Sequence, residues 1–83
     1  MTRRMAFDLI EAEFERALLL HPVWPDDRIY QAAIVAEEAG EALQAALNLR
    51  EGDPHFDGAT VTKLREEWVQ TGAMVLRALV NLK

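Results

Sequence analysis

Residues 29–49 of this chain read IYQAAIVAEEAGEALQAALNL, and this stretch decides the fold class. It is rich in strong helix formers and contains no proline, so it predicts a long α-helix. Its only charged residues are Glu37, Glu38 and Glu41. At about 100° per residue, their three carboxylates fall within roughly a 100° arc of one helix face. The sequence therefore predicts a helix that carries a one-sided acidic cluster.

The lack of basic neighbours distinguishes this cluster from an ordinary solvated helix face. Solvated faces usually mix signs, because Glu and Lys four residues apart stabilise each other by a few tenths of a kcal/mol. Crowded carboxylates repel one another instead and raise one another's pKa, unless a cation lies between them. The pattern therefore favours a divalent metal site over a face that is merely solvated.

The first of two further helices is expected from about Thr2 to Leu20. The segment that follows contains Pro22 and Pro25, which disfavour helical geometry in the residues before them. The apolar positions of this helix recur at helical spacing: Phe7, Ile10, Phe14, Ala17 and Leu18.

The central helix is expected to begin after a cap at Asp26 or Asp27 and to end near Arg50. Its predicted core stripe consists of Ile29, Ala32, Ala36, Gly40, Leu43 and Leu47. Gly40 on this stripe predicts a close helix crossing. Residues 51–58 are rich in turn-forming residues and predict a loop.

The last helix is expected to start near Thr60 or Thr62 and to continue to the end of the chain. Its predicted apolar stripe consists of Leu64, Trp68, Thr71, Val75, Leu79 and Leu82. No segment alternates between apolar and polar residues with a period of two, so a sheet is not expected. The predicted fold is all-α, a bundle of three main helices forming a single domain over residues 1–83.

Size and charge restrict the functions open to this chain. It has 83 residues, of which 51% are hydrophobic, and domains of this size bury only about 60% of their unfolded surface. We therefore expect oligomerisation to complete the core, as a homodimer or homotetramer. The net charge of −5 argues against a nucleic-acid polymer as partner. Apolar runs are too short for a membrane span, and a cytoplasmic location is expected.

A second pair of oxygen-bearing side chains matches the acidic cluster. Glu38 and Glu41 are spaced i, i+3, and so are Glu67 and Gln70 on the last helix. Two antiparallel helices would bring these four side chains together. Mg²⁺, or Mn²⁺ in its place, is the cation that such an oxygen site is expected to bind.

These two pairs also carry a resemblance to a known family. The segments Ala36-Glu-Glu-Ala-Gly-Glu-Ala-Leu43 and Leu64-Arg-Glu-Glu-Trp-Val-Gln-Thr-Gly-Ala-Met74 resemble the metal-binding helices of the MazG-like nucleotide pyrophosphohydrolases, in phrasing most like small phage-type members. That all-α superfamily usually carries Glu-x-x-Glu followed by Glu-x-x-Asp. The resemblance covers roughly residues 28–83.

The resemblance implies hydrolysis of a nucleoside triphosphate to a monophosphate and pyrophosphate. Glu38, Glu41 and Glu67 map onto the Mg²⁺ ligands of the family motif, with Gln70 at the fourth position. Glu37 maps beside them, as a further ligand or as a base that orients water, so Glu37 and Glu38 are the expected catalytic residues. Family members generally assemble the pocket between subunits.

Gln70 departs from the family pattern, which usually has Asp at this position. An amide oxygen can ligate Mg²⁺, but it supplies no charge and cannot act as a base. A catalytically weak nucleotide-binding or helical interaction module is therefore the alternative to an enzyme. A third possibility is a small structural bundle in which the carboxylates only keep the surface soluble.

Four further residues are candidates for contact with a nucleotide. Lys63 and Arg77 could clamp phosphates, and Arg77 is preferred because its guanidinium can form two parallel hydrogen bonds. Trp24 could stack on a base, although it could equally pin its loop onto the helices. Tyr30 shares the carboxylate face and could hydrogen-bond a ligand.

Overall fold

The computed structural model describes residues 1–51 and 60–83, and within them the chain forms three α-helices. Helix α1 spans Arg3–Leu20, α2 spans Arg28–Glu51 and α3 spans Val61–Asn81. These described ranges contain no β-strand, so the prediction of an all-α fold is confirmed. Of the described helices, none has a long enough apolar stretch to span a membrane.

The helix boundaries follow from capping side chains near the predicted positions. The hydroxyl of Thr2 accepts a hydrogen bond from the Met5 amide at 3.1 Å, and the hydroxyl of Thr60 accepts one from the Lys63 amide at 3.0 Å. At the start of α2, the Asp27 carboxylate accepts from the Ile29 amide at 2.9 Å. Each bond satisfies a backbone donor that the first helical turn leaves free. The predicted loop is wrong at Glu51, which belongs to α2; the rest of that loop lies outside the described residues.

Helix α3 lies in the middle of the structure. It packs against α2 and against α1, whereas α1 and α2 make no close packing with each other over the described residues. The described chain measures 44 × 28 × 20 Å. Because two helices flank α3, one side of it faces the space between them and the opposite side faces outward, and these two sides differ in chemistry.

The predicted core stripe of α2 is wrong. Ile29 is 81% exposed, and Gly40 has no atom of another element within 4 Å of where a Cβ would lie. Among residues 28–50 of α2, those that are buried are Gln31, Ala42 and Ala45, on the opposite side of the helix. The small alanines allow α2 and α3 to approach closely, and this orientation turns Glu38 toward α3. The close crossing predicted at Gly40 is therefore absent from the described chain.

The predicted apolar stripe of α3 is also largely exposed. Trp68, expected in the core, is 62% exposed, and Val75 and Leu79 are exposed as well. Glu67 and Arg77 are buried instead, with exposed fractions of 5% and 2%. The polar stripe of α3 faces the space between α1 and α2, where polar side chains of both flanking helices also lie. The apolar stripe is left on the opposite side.

The hydrophobic residues buried in the described chain are all alanines: Ala17, Ala42, Ala45 and Ala73. Large apolar side chains such as Phe7 on α1 and Leu43 on α2 are mostly exposed. Alanine burial contributes little hydrophobic free energy, since that energy scales with the apolar area removed from water. The three helices thus enclose a polar interior and carry most of their large apolar residues outside.

Candidate metal centre and adjoining cleft

Three carboxylates from two helices meet between α2 and α3. One carboxylate oxygen from each of Glu38, Glu41 and Glu67 lies within 4.8 Å of the other two. The i, i+3 spacing on α2 places Glu38 and Glu41 on adjacent turns, and the antiparallel packing of α3 brings Glu67 opposite them. These three acidic groups could hold a metal ion.

Two oxygens of this carboxylate triad are buried without a hydrogen-bond donor. Oε2 of Glu38 and Oε2 of Glu67 have no donor among the described residues. Leaving a buried charged acceptor without a partner costs at least about 1–3 kcal/mol. A cation or a proton would remove that cost, so the triad has the chemistry of a cation site.

The pKa of Glu38 is shifted by its surroundings. Burial raises the pKa of this carboxyl most, and the negative charges of Glu41, Glu67, Glu37 and Glu13 raise it further, in that order. Both causes disfavour the ionised form. A bound divalent cation would act in the opposite direction, because it favours the ionised carboxylate.

Lys63 lies against the triad from within α3. Its Nζ is 2.8 Å from Oε1 of Glu67, and its own side chain is about half exposed. The hydrogen bond and charge of Glu67 raise the pKa of Lys63, with smaller contributions from Glu66 and Glu41. Lys63 thus forms an ion pair with Glu67, one of the candidate metal ligands.

A cleft of about 320 Å³ adjoins the triad at Glu38, and all three helices and the segment after α1 contribute to it. Gln70 and Arg77 of α3 line it, as do Trp24 and Ile34. Its volume is at the lower end of the range for small-molecule sites, about 300–1,000 Å³. One chain therefore encloses only a small ligand or part of a larger one.

Arg77 forms the buried polar element of this cleft. Its guanidinium lies 4.9 Å from the centre of the Trp24 ring, a cation–π arrangement, and one of its nitrogens donates a hydrogen bond to the His21 carbonyl. Its Nε and the indole Nε1 of Trp24 are buried and without an acceptor in the described part of the chain. Arg77 thus ties the segment that follows α1 to α3.

The structure brings some of the predicted site residues together and leaves others apart. Gln70 lines the cleft, together with Trp24 and Arg77. Glu37 is exposed and lies outside the triad, although its charge contributes to the raised pKa of Glu38. Tyr30 is 59% exposed and is not among the described residues that line the cleft.

Sequence reasoning missed the contribution of α1. Glu13 and Arg16 of α1, and His21 directly after this helix, line the cleft opposite α2. The guanidinium of Arg16 donates two hydrogen bonds to the Glu13 carboxylate, which lowers the pKa of Glu13. The i, i+3 spacing of Glu13 and Arg16 predicts that they pair. No local sequence pattern indicates that this face of α1 lies opposite Glu38.

No protein-family model, no curated protein and no solved structure matches this chain.

Proposed function

We propose that this chain is a Mg²⁺-dependent nucleoside triphosphate pyrophosphohydrolase of the MazG-like type. The observation that carries the proposal is the carboxylate triad of Glu38, Glu41 and Glu67 beside a cleft that contains a buried arginine. A pyrophosphohydrolase needs both a place for a hard cation and positive charge for phosphate oxygens.

The triad residues fit the cation that the proposal requires. Three carboxylates supply hard oxygen ligands, the type that Mg²⁺ and Mn²⁺ prefer. Oε2 of Glu38 and Oε2 of Glu67, which are buried without a donor among the described residues, are acceptors that a cation would satisfy. When bound, such a cation neutralises phosphate charge and lowers the pKa of a nearby water. Gln70, on the same side of α3, adds a neutral amide to the cleft.

The cleft fits the anionic part of a nucleotide. Arg77, which is buried, and Arg16, which pairs with Glu13, both line it. In the proposal, these two guanidinium groups bind phosphate oxygens of the ligand. Trp24 takes part through its indole N–H or the ring face that Arg77 does not cover, and Tyr30 has no direct role.

The proposed reaction is hydrolysis at the α-phosphorus. A water oxygen bonds to the α-phosphorus, and the bond from that phosphorus to the α–β bridging oxygen breaks. The bridging oxygen leaves with the electron pair as part of pyrophosphate, and the nucleoside monophosphate keeps the new oxygen. The water proton passes to a carboxylate, and Glu37 is the candidate because it is exposed and lies beside Glu38.

A second copy of the chain is part of the proposal. The described chain buries only alanines among its hydrophobic residues, and its cleft is small. Two copies joined through their exposed apolar faces would remove large side chains from water and add surface around the ligand. We infer a homodimer, or a homotetramer built from dimers.

The proposal is tested by incubating the purified protein with Mg²⁺ or Mn²⁺ and a panel of ribo- and deoxynucleoside triphosphates. Monophosphate and pyrophosphate are expected in equal amounts. Glu67→Gln should reduce turnover at least about 100-fold, since even residues that only support metal ligands are worth 10–100-fold. Glu66→Gln, at the exposed neighbouring position, is the matched control and should retain activity. If no nucleotide yields pyrophosphate, the proposal that the chain is a pyrophosphohydrolase is rejected.

The position of Gln70 favours a second candidate, a nucleotide-binding module without turnover. Gln70 lines the cleft with Glu38 and Arg77, so an uncharged group occupies a place where a carboxylate could add to the cation site. Gln70→Asp separates the two candidates. A strong rise in turnover would identify a weakened enzyme, whereas unchanged inactivity with intact Mg²⁺ binding would favour the module.

A further inference from the structure

The position of Lys63 is unfavourable for the helix that carries it. Lys63 lies in the first turn of α3, three residues after the Thr60 cap. Cations destabilise this end of a helix because the helix dipole is positive there. A Lys four residues before a Glu is also the weaker order for an ion pair on a helix. Helix stability therefore does not explain Lys63.

The carboxylate triad does explain why a lysine at position 63 is favourable. The Lys63 Nζ lies 2.8 Å from Oε1 of Glu67, and Glu67 is only 5% exposed. No other cationic side chain within the described ranges forms an ion pair with Glu38, Glu41 or Glu67. The ammonium group is thus the local positive charge on a group of three carboxylates, two of which have a buried oxygen without a donor.

We propose that Lys63 is a tethered counter-ion of the triad, which a divalent cation displaces from Glu67 when it binds. This inference rests on the proposed metal site. Lys63 stabilises the metal-free protein by reducing repulsion among the carboxylates. It also weakens metal binding, because the cation must replace the Lys63–Glu67 ion pair and would lie close to a positive charge.

The displaced side chain then has a second use. Lys63 is about half exposed and has a long flexible stem, so its ammonium can leave Glu67 without disturbing the helix. Freed beside the carboxylate triad, it becomes available to the phosphate oxygens of an anionic ligand. Lys63 is therefore a positioning residue for Glu67 when metal is absent and a ligand contact when metal is present.

The experiment measures Mn²⁺ binding by calorimetry, and melting temperature with and without Mn²⁺, in the absence of nucleotide. Lys63→Met should bind Mn²⁺ more tightly by about fivefold or more, the lower end of typical coupling between sites. The same variant should melt at a lower temperature than the wild type without metal. A purely structural role would lower the melting temperature but would not tighten metal binding.

Arg65→Met is the matched control, because it removes one positive charge from an exposed position two residues away. It should leave the Mn²⁺ dissociation constant within about twofold of the wild type, in line with the weak effect of solvated surface charges. Lys63→Arg, which keeps the charge, should also remain near the wild type.

The outcomes separate this inference from the proposed function. Equal Mn²⁺ binding by wild type and Lys63→Met, or equal tightening in Arg65→Met, would overturn the role of Lys63 and leave the metal site intact. Absence of Mn²⁺ binding in wild type and Lys63→Met alike would overturn the metal site itself, and the inference with it.

Discussion

The polar and apolar faces of α3 reverse the usual relation between polarity and burial. The polar face, with Glu67, Gln70 and Arg77, is turned inward between the flanking helices, whereas Val75 and Leu79 on the apolar face are exposed. Buried charges are costly unless they are paired or bind a ligand. On α3 the charged side chains of Glu67 and Arg77 are therefore buried, where burial requires a partner or a ligand, and large apolar side chains are left in contact with water.

The apolar face forms a groove on each side of α3. On the α1 side, a groove of about 590 Å³ contains Phe7, Ile10 and Phe14. On the α2 side, a groove of about 340 Å³ contains Ala32 and Val35. Val75 and Leu79 belong to both grooves, so the apolar surface is continuous across the helix. A second copy of the chain could bury it.

The largest expected effect comes from charging this apolar face. Leu79→Glu should weaken self-association at least about 30-fold, since central interface residues are often worth 2 kcal/mol or more. Leu19→Glu is the matched control, because Leu19 is exposed on α1 and lines neither groove. Sedimentation over a concentration series measures the effect. A wild-type chain that stays monomeric at all concentrations would contradict the proposed homo-oligomer.

The next effect concerns the buried polar face at Arg77. Arg77→Lys loses the flat guanidinium over Trp24 and the geometry of the hydrogen bond to the His21 carbonyl. We expect the free energy of unfolding to fall by about 2 kcal/mol. Denaturation followed by Trp24 fluorescence, in a Trp68→Phe background, reports the change.

Arg16→Lys is the control for Arg77→Lys, because Arg16 also lines the cleft but is exposed and pairs only with Glu13 among the described residues. Arg16→Lys should lower the free energy of unfolding by less than about 1 kcal/mol. Equal costs for the two substitutions would mean that burial of Arg77 contributes nothing beyond an exposed ion pair.

A smaller effect is expected from removing the charge of Glu38. Burial and neighbouring carboxylates raise the pKa of Glu38, so its ionised form costs stability at neutral pH. Glu38→Gln should therefore raise the melting temperature of the metal-free protein by a few degrees near pH 7. The gain should shrink as the pH falls through the raised pKa, because the wild-type Glu38 is then protonated too.

Thermal melts at several pH values, with Glu15→Gln as the exposed control, test this expectation. On the proposed metal site, Mg²⁺ or Mn²⁺ should raise the melting temperature of the wild type but not that of Glu38→Gln, because a ligand stabilises only a state that binds it. If the increase in melting temperature of Glu38→Gln over the wild type grew toward low pH, it would contradict the assignment of the raised pKa to Glu38.

The smallest effect compares two glycines. Gly40→Ala should stabilise the protein by up to about 1 kcal/mol, because Ala is the better helix former and a Cβ there meets no atom within 4 Å. At Gly72, on the apolar side of α3, a Cβ would lie 2.9 Å from Cδ1 of Ile10. Gly72→Ala should therefore raise the free energy of unfolding by less than Gly40→Ala does, or lower it. Chemical denaturation of both variants measures the difference. Loss of stability in Gly40→Ala would mean that another surface packs on the outer face of α2.

The acidic cluster shows how far local reasoning extends toward the site. The i, i+3 spacings of Glu38 with Glu41 and of Glu67 with Gln70 are enough to place each pair on one helix face. The structure then brings Glu38, Glu41 and Glu67 together, because α2 and α3 pack side by side. Sequence reasoning did not find the cleft, since its α1 wall of Glu13 and Arg16 depends on packing between distant segments.

The sequence by itself determined the three helices, their caps and the acidic clusters, because helical hydrogen bonds and side-chain spacing act within a few residues. Only the tertiary structure decided which helix faces turn inward. Periodicity identifies an apolar stripe but not the surface that covers it, and Ile29, Trp68 and Leu79 are not covered within the described chain. The positions that face inward are occupied by alanines and by Glu38, Glu67 and Arg77. The small alanine side chains permit close contact between helices, and this contact brings the charged side chains of different helices together in the interior.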